Sequence, residues 1–65
     1  MAYNVRRLRL ERGWSQMRLA VLTDMHLNTV GALERGQLNA SVDVIERIAL
    51  VLEVSVGSLF EANIP

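Results

Sequence analysis

Apolar positions along this chain recur at intervals of three and four residues and show no sustained alternation, a pattern that predicts helices and no strands. Val5 and Leu8 share one face of a helix expected from about Tyr3 to Arg12, and Gly13 stands where a helix C-terminus favours glycine. Ser15 is a good N-cap for a second helix that carries Leu19 and Ala20 inward and ends near Leu22. Thr23, Asp24 and Met25 leave room only for a tight turn. A third helix is expected from about His26 to Arg35, with Val30 and Leu33 on its buried side and Gly36 as its stop. Gln37 to Ala40 read as a polar loop. Ser41 caps a fourth helix, with Asp43 in the first turn where the helix dipole favours an acid. Val42, Ile45, Ile48, Ala49 and Leu52 follow the 3.6-residue period and make this the clearest helix of the chain. Ser55 caps a last short helix carrying Leu59 and Phe60. The expected fold class is all-α, five short helices forming a single domain over residues 1–65.

Composition narrows what such a domain can do. The chain has 65 residues, 51% of them hydrophobic, and a chain of this size buries only about 60% of its unfolded surface, so its stability margin is thin. It has no cysteine and one histidine, which excludes disulfides and thiolate metal sites, and no clustered carboxylates suggest a metal or other cofactor. No uncharged run is long enough to span a bilayer, and Met1 to Arg9 lack the apolar stretch of a signal peptide, so the cytoplasm is the expected compartment. The same inventory offers no grouping of base, nucleophile or metal, so a binding protein is expected rather than an enzyme.

The formal net charge is zero, but the charges are not evenly spread. Residues 1–36 hold Arg6, Arg7, Arg9, Arg12, Arg18 and Arg35 against Glu11, Asp24 and Glu34, and six minus three gives +3. Residues 37–65 hold Arg47 against Asp43, Glu46, Glu53 and Glu61, which gives −3. One end of the domain turned toward an anion would produce this split, and so would chance scatter in a short chain.

One stretch carries a more specific signal. Arg9, Gly13-Trp14-Ser15-Gln16, Leu19-Ala20, Asn28-Thr29-Val30 and Leu33-Glu34-Arg35-Gly36 occur in this order and spacing. Ser41-Val42-Asp43 then leads to Ile45, Ile48 and Leu52, followed by Val54-Ser55 and Leu59-Phe60. Nearly the whole chain thus resembles the Cro/repressor-type (phage-repressor-like, XRE) helix-turn-helix regulators. The resemblance implies a lambda-repressor-like domain whose helices 2 and 3, at about residues 16–35, form the helix-turn-helix. In that motif the first helix crosses the DNA backbone and the second lies in the major groove of double-stranded DNA. Ala20 supplies the small residue that a steep helix crossing needs. Asp24 departs from the glycine usual in the turn, where one residue takes a left-handed conformation that aspartate tolerates less well.

The resemblance also distributes roles. It implies that His26, Leu27, Asn28, Thr29 and Ala32 form the base-reading face. Asn28 is the foremost of these, because its amide can pair both edges of adenine or grip a phosphate. Thr29 can hydrogen-bond or touch a thymine methyl, whereas Leu27 can read only shape or methyl groups. His26, at the N-cap, either meets a phosphate or stays uninvolved. Ser15 and Gln16, at the positive end of helix 2, are the expected phosphate contacts, with Arg35 and Asn39 along the backbone beyond helix 3. Arg9 and Glu34 match a partly buried structural ion pair; Arg6, Arg7 and Arg12 are then surface charge, and Trp14 is core.

A single recognition helix touches few base pairs, so a homodimer on a palindromic operator is expected. The resemblance places its interface at Val54, Val56 and Leu59, and exposed Leu50 extends it; these side chains also have the alternative of completing a small core. The expected function is transcriptional regulation as a small bacterial or phage regulator with no small-molecule effector; a phage-type repressor, a restriction–modification controller and an antitoxin, and activation and repression, are all open to it. A rival function is a protein-interaction module that keeps the fold without binding DNA. Leu27, Asp24, the neutral net charge and the apolar Val21, Leu38 and Leu50 favour it.

Overall fold

Serine side chains start three of the five helices. The hydroxyls of Ser15, Ser41 and Ser55 accept from the backbone N–H groups of Arg18, Val44 and Ser58 at 3.0, 3.3 and 3.2 Å, each satisfying a donor that the first helical turn leaves unpaired. The computed structural model describes residues 1–62, so the last three residues of the expected domain lie outside the described residues. The helices are α1 (Ala2–Glu11), α2 (Gln16–Thr23), α3 (Leu27–Glu34), α4 (Val42–Leu52) and α5 (Val56–Leu59), with no strand among the described residues.

Four helices end with the same device. A left-handed residue follows the helix, and the next backbone N–H reaches back to the carbonyl five residues earlier. Gly13 (φ 69°) and Gly36 (φ 73°) do this without strain; Asp24 (φ 55°) and Glu53 (φ 58°) do it with side chains that rarely adopt such angles. The closing bonds are Trp14 N–H to the Arg9 carbonyl, Met25 to Ala20, Gln37 to Ala32 and Val54 to Ala49, all between 2.9 and 3.1 Å. The left-handed Asp24 expected between the second and third helices is therefore present.

The core is made by Val5 and Leu8 of α1, Leu19 and Ala20 of α2, Val30 and Leu33 of α3, Ile48, Ala49 and Leu52 of α4, and Leu59 of α5. The closest pairing is between α2 and α3; α1 lies against α3, α4 and α5, and α4 supports α2 and α5. Trp14 is half-buried against this core, as expected.

Three expectations need correction. Val42 does not join the core stripe of α4: it occupies the first helical position beside the Ser41 cap and stays 72% exposed. Thr23 is not a turn residue but the last residue of α2, fully buried, its hydroxyl donating to the Leu19 carbonyl at 2.7 Å. Arg12 is not free surface charge, because its guanidinium donates to the Leu8 carbonyl at 2.9 Å and also to the Leu52 carbonyl. It thereby caps the ends of α1 and α4. Arg47 does the same for α2, donating to the Thr23 carbonyl at 3.0 Å. Asn4, buried on α1, donates to the Leu59 and Glu61 carbonyls at 3.0 and 2.9 Å and ties the first helix to the last.

Candidate nucleic-acid interface

The N-terminus of α2 and the outer face of α3 lie side by side, because Ala20 of α2 and Val30 and Leu33 of α3 meet in the core and turn the remaining positions outward. His26 and Asn28 are exposed at the start of α3, and Thr29 and Ala32 are half-buried along it. His26 does cap the helix, its Nδ1 accepting from the Asn28 backbone N–H at 3.1 Å. In the neutral imidazole this leaves the proton on Nε2 as an outward donor. Leu27 is half-buried and, with His26, lines a groove shared with Met17, Val21, Asp24 and Met25. Arg35 and Asn39 are exposed just beyond α3.

Beneath this surface lies the ion pair. Arg9 Nε donates to Glu34 Oε2 at 2.7 Å and Arg9 Nη2 to Oε1 at 3.0 Å, a two-pronged contact between side chains that are both buried. The third arm of the guanidinium, Nη1, donates to the Trp14 carbonyl at 2.7 Å. Burial alone would push the Glu34 carboxyl up, but hydrogen bonds from Arg9 and Gln16, with the charges of Arg9 and Arg6, hold it below the ordinary carboxylate range. The hydrogen bond from Arg9 to Glu34 likewise raises the guanidinium value against the opposing effect of burial.

Gln16 joins the pair, with Nε2 donating to Glu34 Oε1 at 3.1 Å. An ionised carboxylate only accepts, so Glu34 fixes which end of the Gln16 amide points inward. The second N–H of that amide remains as a donor at the start of α2, where helix polarity favours an anion. Ser15 keeps its hydroxyl proton, since its oxygen serves the cap as an acceptor. Arg35 reaches back over α3: its Nε donates to Gln37 Oε1 at 2.9 Å, and its Nη1 lies 3.0 Å from the point where a Cβ on Gly31 would sit. Gly31 lies in mid-helix, where glycine costs about 1 kcal/mol relative to alanine. Sequence reasoning passed over it, although an isolated glycine inside a helical pattern is a visible signal.

Internal pairing sharpens the charge map. Arg7 pairs with Glu11, Arg9 with Glu34 and Arg47 with Asp43, and Arg12 serves backbone carbonyls. Among the described residues this leaves Arg6, Arg18 and Arg35 for an outside anion, all in the first 36 residues. Of the acids left without a basic partner, Glu46, Glu53 and Glu61 lie in the second part of the chain and only Asp24 in the first. The described residues contain no group of three or more potential metal ligands and no helix long and apolar enough to cross a membrane.

The residues expected at a dimer interface separate. Leu50 on α4 is 77% exposed and Val56 on α5 is 40% exposed, whereas Val54 packs partly against the core. Leu59 is fully buried and belongs to the core, so it cannot contribute to an interface.

Five helices with this pairing and this exposed third helix define an all-α helix-turn-helix domain. The helix-turn-helix family model matches residues 5–59, and the chain belongs to that family, in its Cro/repressor-type branch. It is similar to a hypothetical transcription factor of Neisseria meningitidis serogroup B (strain ATCC BAA-335 / MC58), 37% identical over 59 residues, or 91% of this chain. The chain spans 56% of the length of that curated relative. Among solved structures it is similar to the restriction-modification controller protein C.AhdI from Aeromonas hydrophila, with a TM-score of 0.87, 37% identity, and coverage of 91% of this chain and 89% of that one. It is likewise similar to the hypothetical transcription factor NHTF from Neisseria, with a TM-score of 0.91, 35% identity and coverage of 95% and 70%.

Proposed function

We propose that this domain binds double-stranded DNA sequence-specifically, with α3 in the major groove, and regulates transcription. The observation that carries the reading is the outer face of α3, where His26, Asn28 and Thr29 present hydrogen-bonding groups while Val30 and Leu33 anchor the opposite face in the core. The second N–H of Gln16, the Ser15 hydroxyl, Arg35 and Asn39 flank that face and supply phosphate contacts, which set the register of α3 on the duplex. Membership of a family of transcription regulators supports the role, as does the likeness to a restriction-modification controller protein and a transcription factor. The same relationships favour a binding protein over an enzyme.

The working unit in this reading is a symmetric dimer on a palindromic operator. Leu50 and Val56 are its contact residues, with the half-buried Val54 contributing what it leaves exposed; Leu50 and Val56 lie on the part of the chain that carries the unpaired acids and is unsuited to face DNA.

A mobility-shift titration at several salt concentrations tests the proposal. Affinity for duplex DNA should fall with log salt at about 0.9 per phosphate neutralised. Gln16→Ala should weaken every sequence about equally. An interaction module on this fold would give no salt-dependent shift.

A further inference from the structure

Gly31 breaks the logic of its own helix, and its surroundings say why. The atoms nearest to a Cβ at this position are Arg35 Nη1 at 3.0 Å, Arg35 Cζ at 3.8 Å and Gln16 Oε1 at 3.8 Å. All three belong to side-chain ends, and no backbone atom of α2 comes closer. The glycine is therefore not required for close approach of the two helices. What it leaves open is the space into which the Arg35 guanidinium folds.

Both neighbours are held there by further bonds. Glu34 takes the Gln16 amide nitrogen at 3.1 Å, which leaves Oε1 on the Gly31 side. Gln37 Oε1 accepts from Arg35 Nε at 2.9 Å, which leaves Nη1 over Gly31. A long flexible cation and a long flexible amide are thus fixed next to each other before any ligand arrives. Fixing them in advance lowers the ordering cost of binding.

We infer that Gly31 is a positioning residue: by lacking a side chain it seats the Arg35 guanidinium beside Gln16, and the two form one preassembled clamp for a single DNA phosphate. This inference rests on the DNA-binding reading above and names a residue that does not itself touch the ligand. Arginine suits the role because its planar fork presents several donors to phosphate oxygens at once.

The test is Gly31→Ala, measured in the intact protein. The added methyl improves helix propensity, so the thermal midpoint should hold or rise. The guanidinium must move away from it, and the Arg35 Nε–H resonance of the free protein should shift. Duplex affinity should fall about fivefold on every sequence alike, as expected for one weakened charge-assisted contact, and the salt slope should become shallower by up to about 0.9. In an Arg35→Ala background the same substitution should change affinity no further.

A Gly31→Ala protein that binds with wild-type affinity and slope overturns the clamp while leaving the DNA reading intact. So does a loss confined to one base position, or a loss that persists undiminished without Arg35. A wild-type protein that binds no duplex overturns the DNA reading itself and the clamp with it.

Discussion

Replacing Glu34 with leucine removes the acceptor of three hydrogen bonds at once: 2.7 and 3.0 Å from Arg9 and 3.1 Å from Gln16. The Arg9 guanidinium then stays buried with only the Trp14 carbonyl as partner. An uncompensated buried charge of this kind costs about 3 kcal/mol or more. A 65-residue domain has roughly 3–10 kcal/mol of total stability, so the substitution removes between about a third and all of it. Each kcal/mol corresponds to a change in Tm of roughly 4–8 °C at this size, which puts the drop at roughly 12–24 °C. Arg9→Met strands the carboxylate in the same way. The double variant Arg9→Met/Glu34→Leu strands neither charge and should cost less than either single change. Thermal and urea melts of the four proteins close the cycle. Costs that add to within about 0.5 kcal/mol would mean that the two side chains are not coupled, and would refute the reasoning.

Acid should act through the same pair. The Glu34 carboxyl is held low in the fold, so its contribution is fully present above the unfolded carboxylate value of about 4.3 and fades as pH falls below that through the folded value. Tm should therefore drop on acidification in this window, and a Glu34→Gln protein with the same acid-side loss would contradict this. Glu53→Gly should raise the unfolding free energy from urea melts by about 1 kcal/mol and Asp24→Gly by about 0.5 kcal/mol, since each relieves a left-handed side chain and removes an acid from a helix C-terminus; a fall in either value counts against the strain argument. Val56→Asp should shift sedimentation toward monomer and weaken DNA binding, and a dimer that persists excludes the α4–α5 surface.

The parts of the fold legible in the sequence are those with local causes. Serine caps before apolar runs, and Gly13 and Gly36 after them, mark helix ends because their chemistry acts within one turn. Glu53 gave no such mark, since its left-handed conformation goes against its residue type and is imposed as Val54 packs on the core. Val42 fitted the helical period but lies in the first turn, where the stripe has already left the core. Asn4, Arg12 and Arg47 were opaque for another reason. Their partners are backbone carbonyls 55, 40 and 24 residues away, and carbonyls leave no trace in the sequence pattern. The Arg9–Glu34 pair, 25 residues apart, came through family resemblance rather than spacing. In the candidate interface, the exposure of His26 and Asn28 followed from periodicity. The burial of Leu59 could not be told in advance from an interface role, because an apolar side chain serves either.

If α3 reads base pairs, selection from random duplexes with the wild type and Asn28→Ala in parallel will reveal it. The wild type should enrich a two-fold-symmetric motif with half-sites about 10 base pairs apart, and Asn28→Ala should enrich the same motif with preference flattened at one position in each half-site. Enrichment of no motif by the wild type, or an unchanged motif from Asn28→Ala, would contradict it.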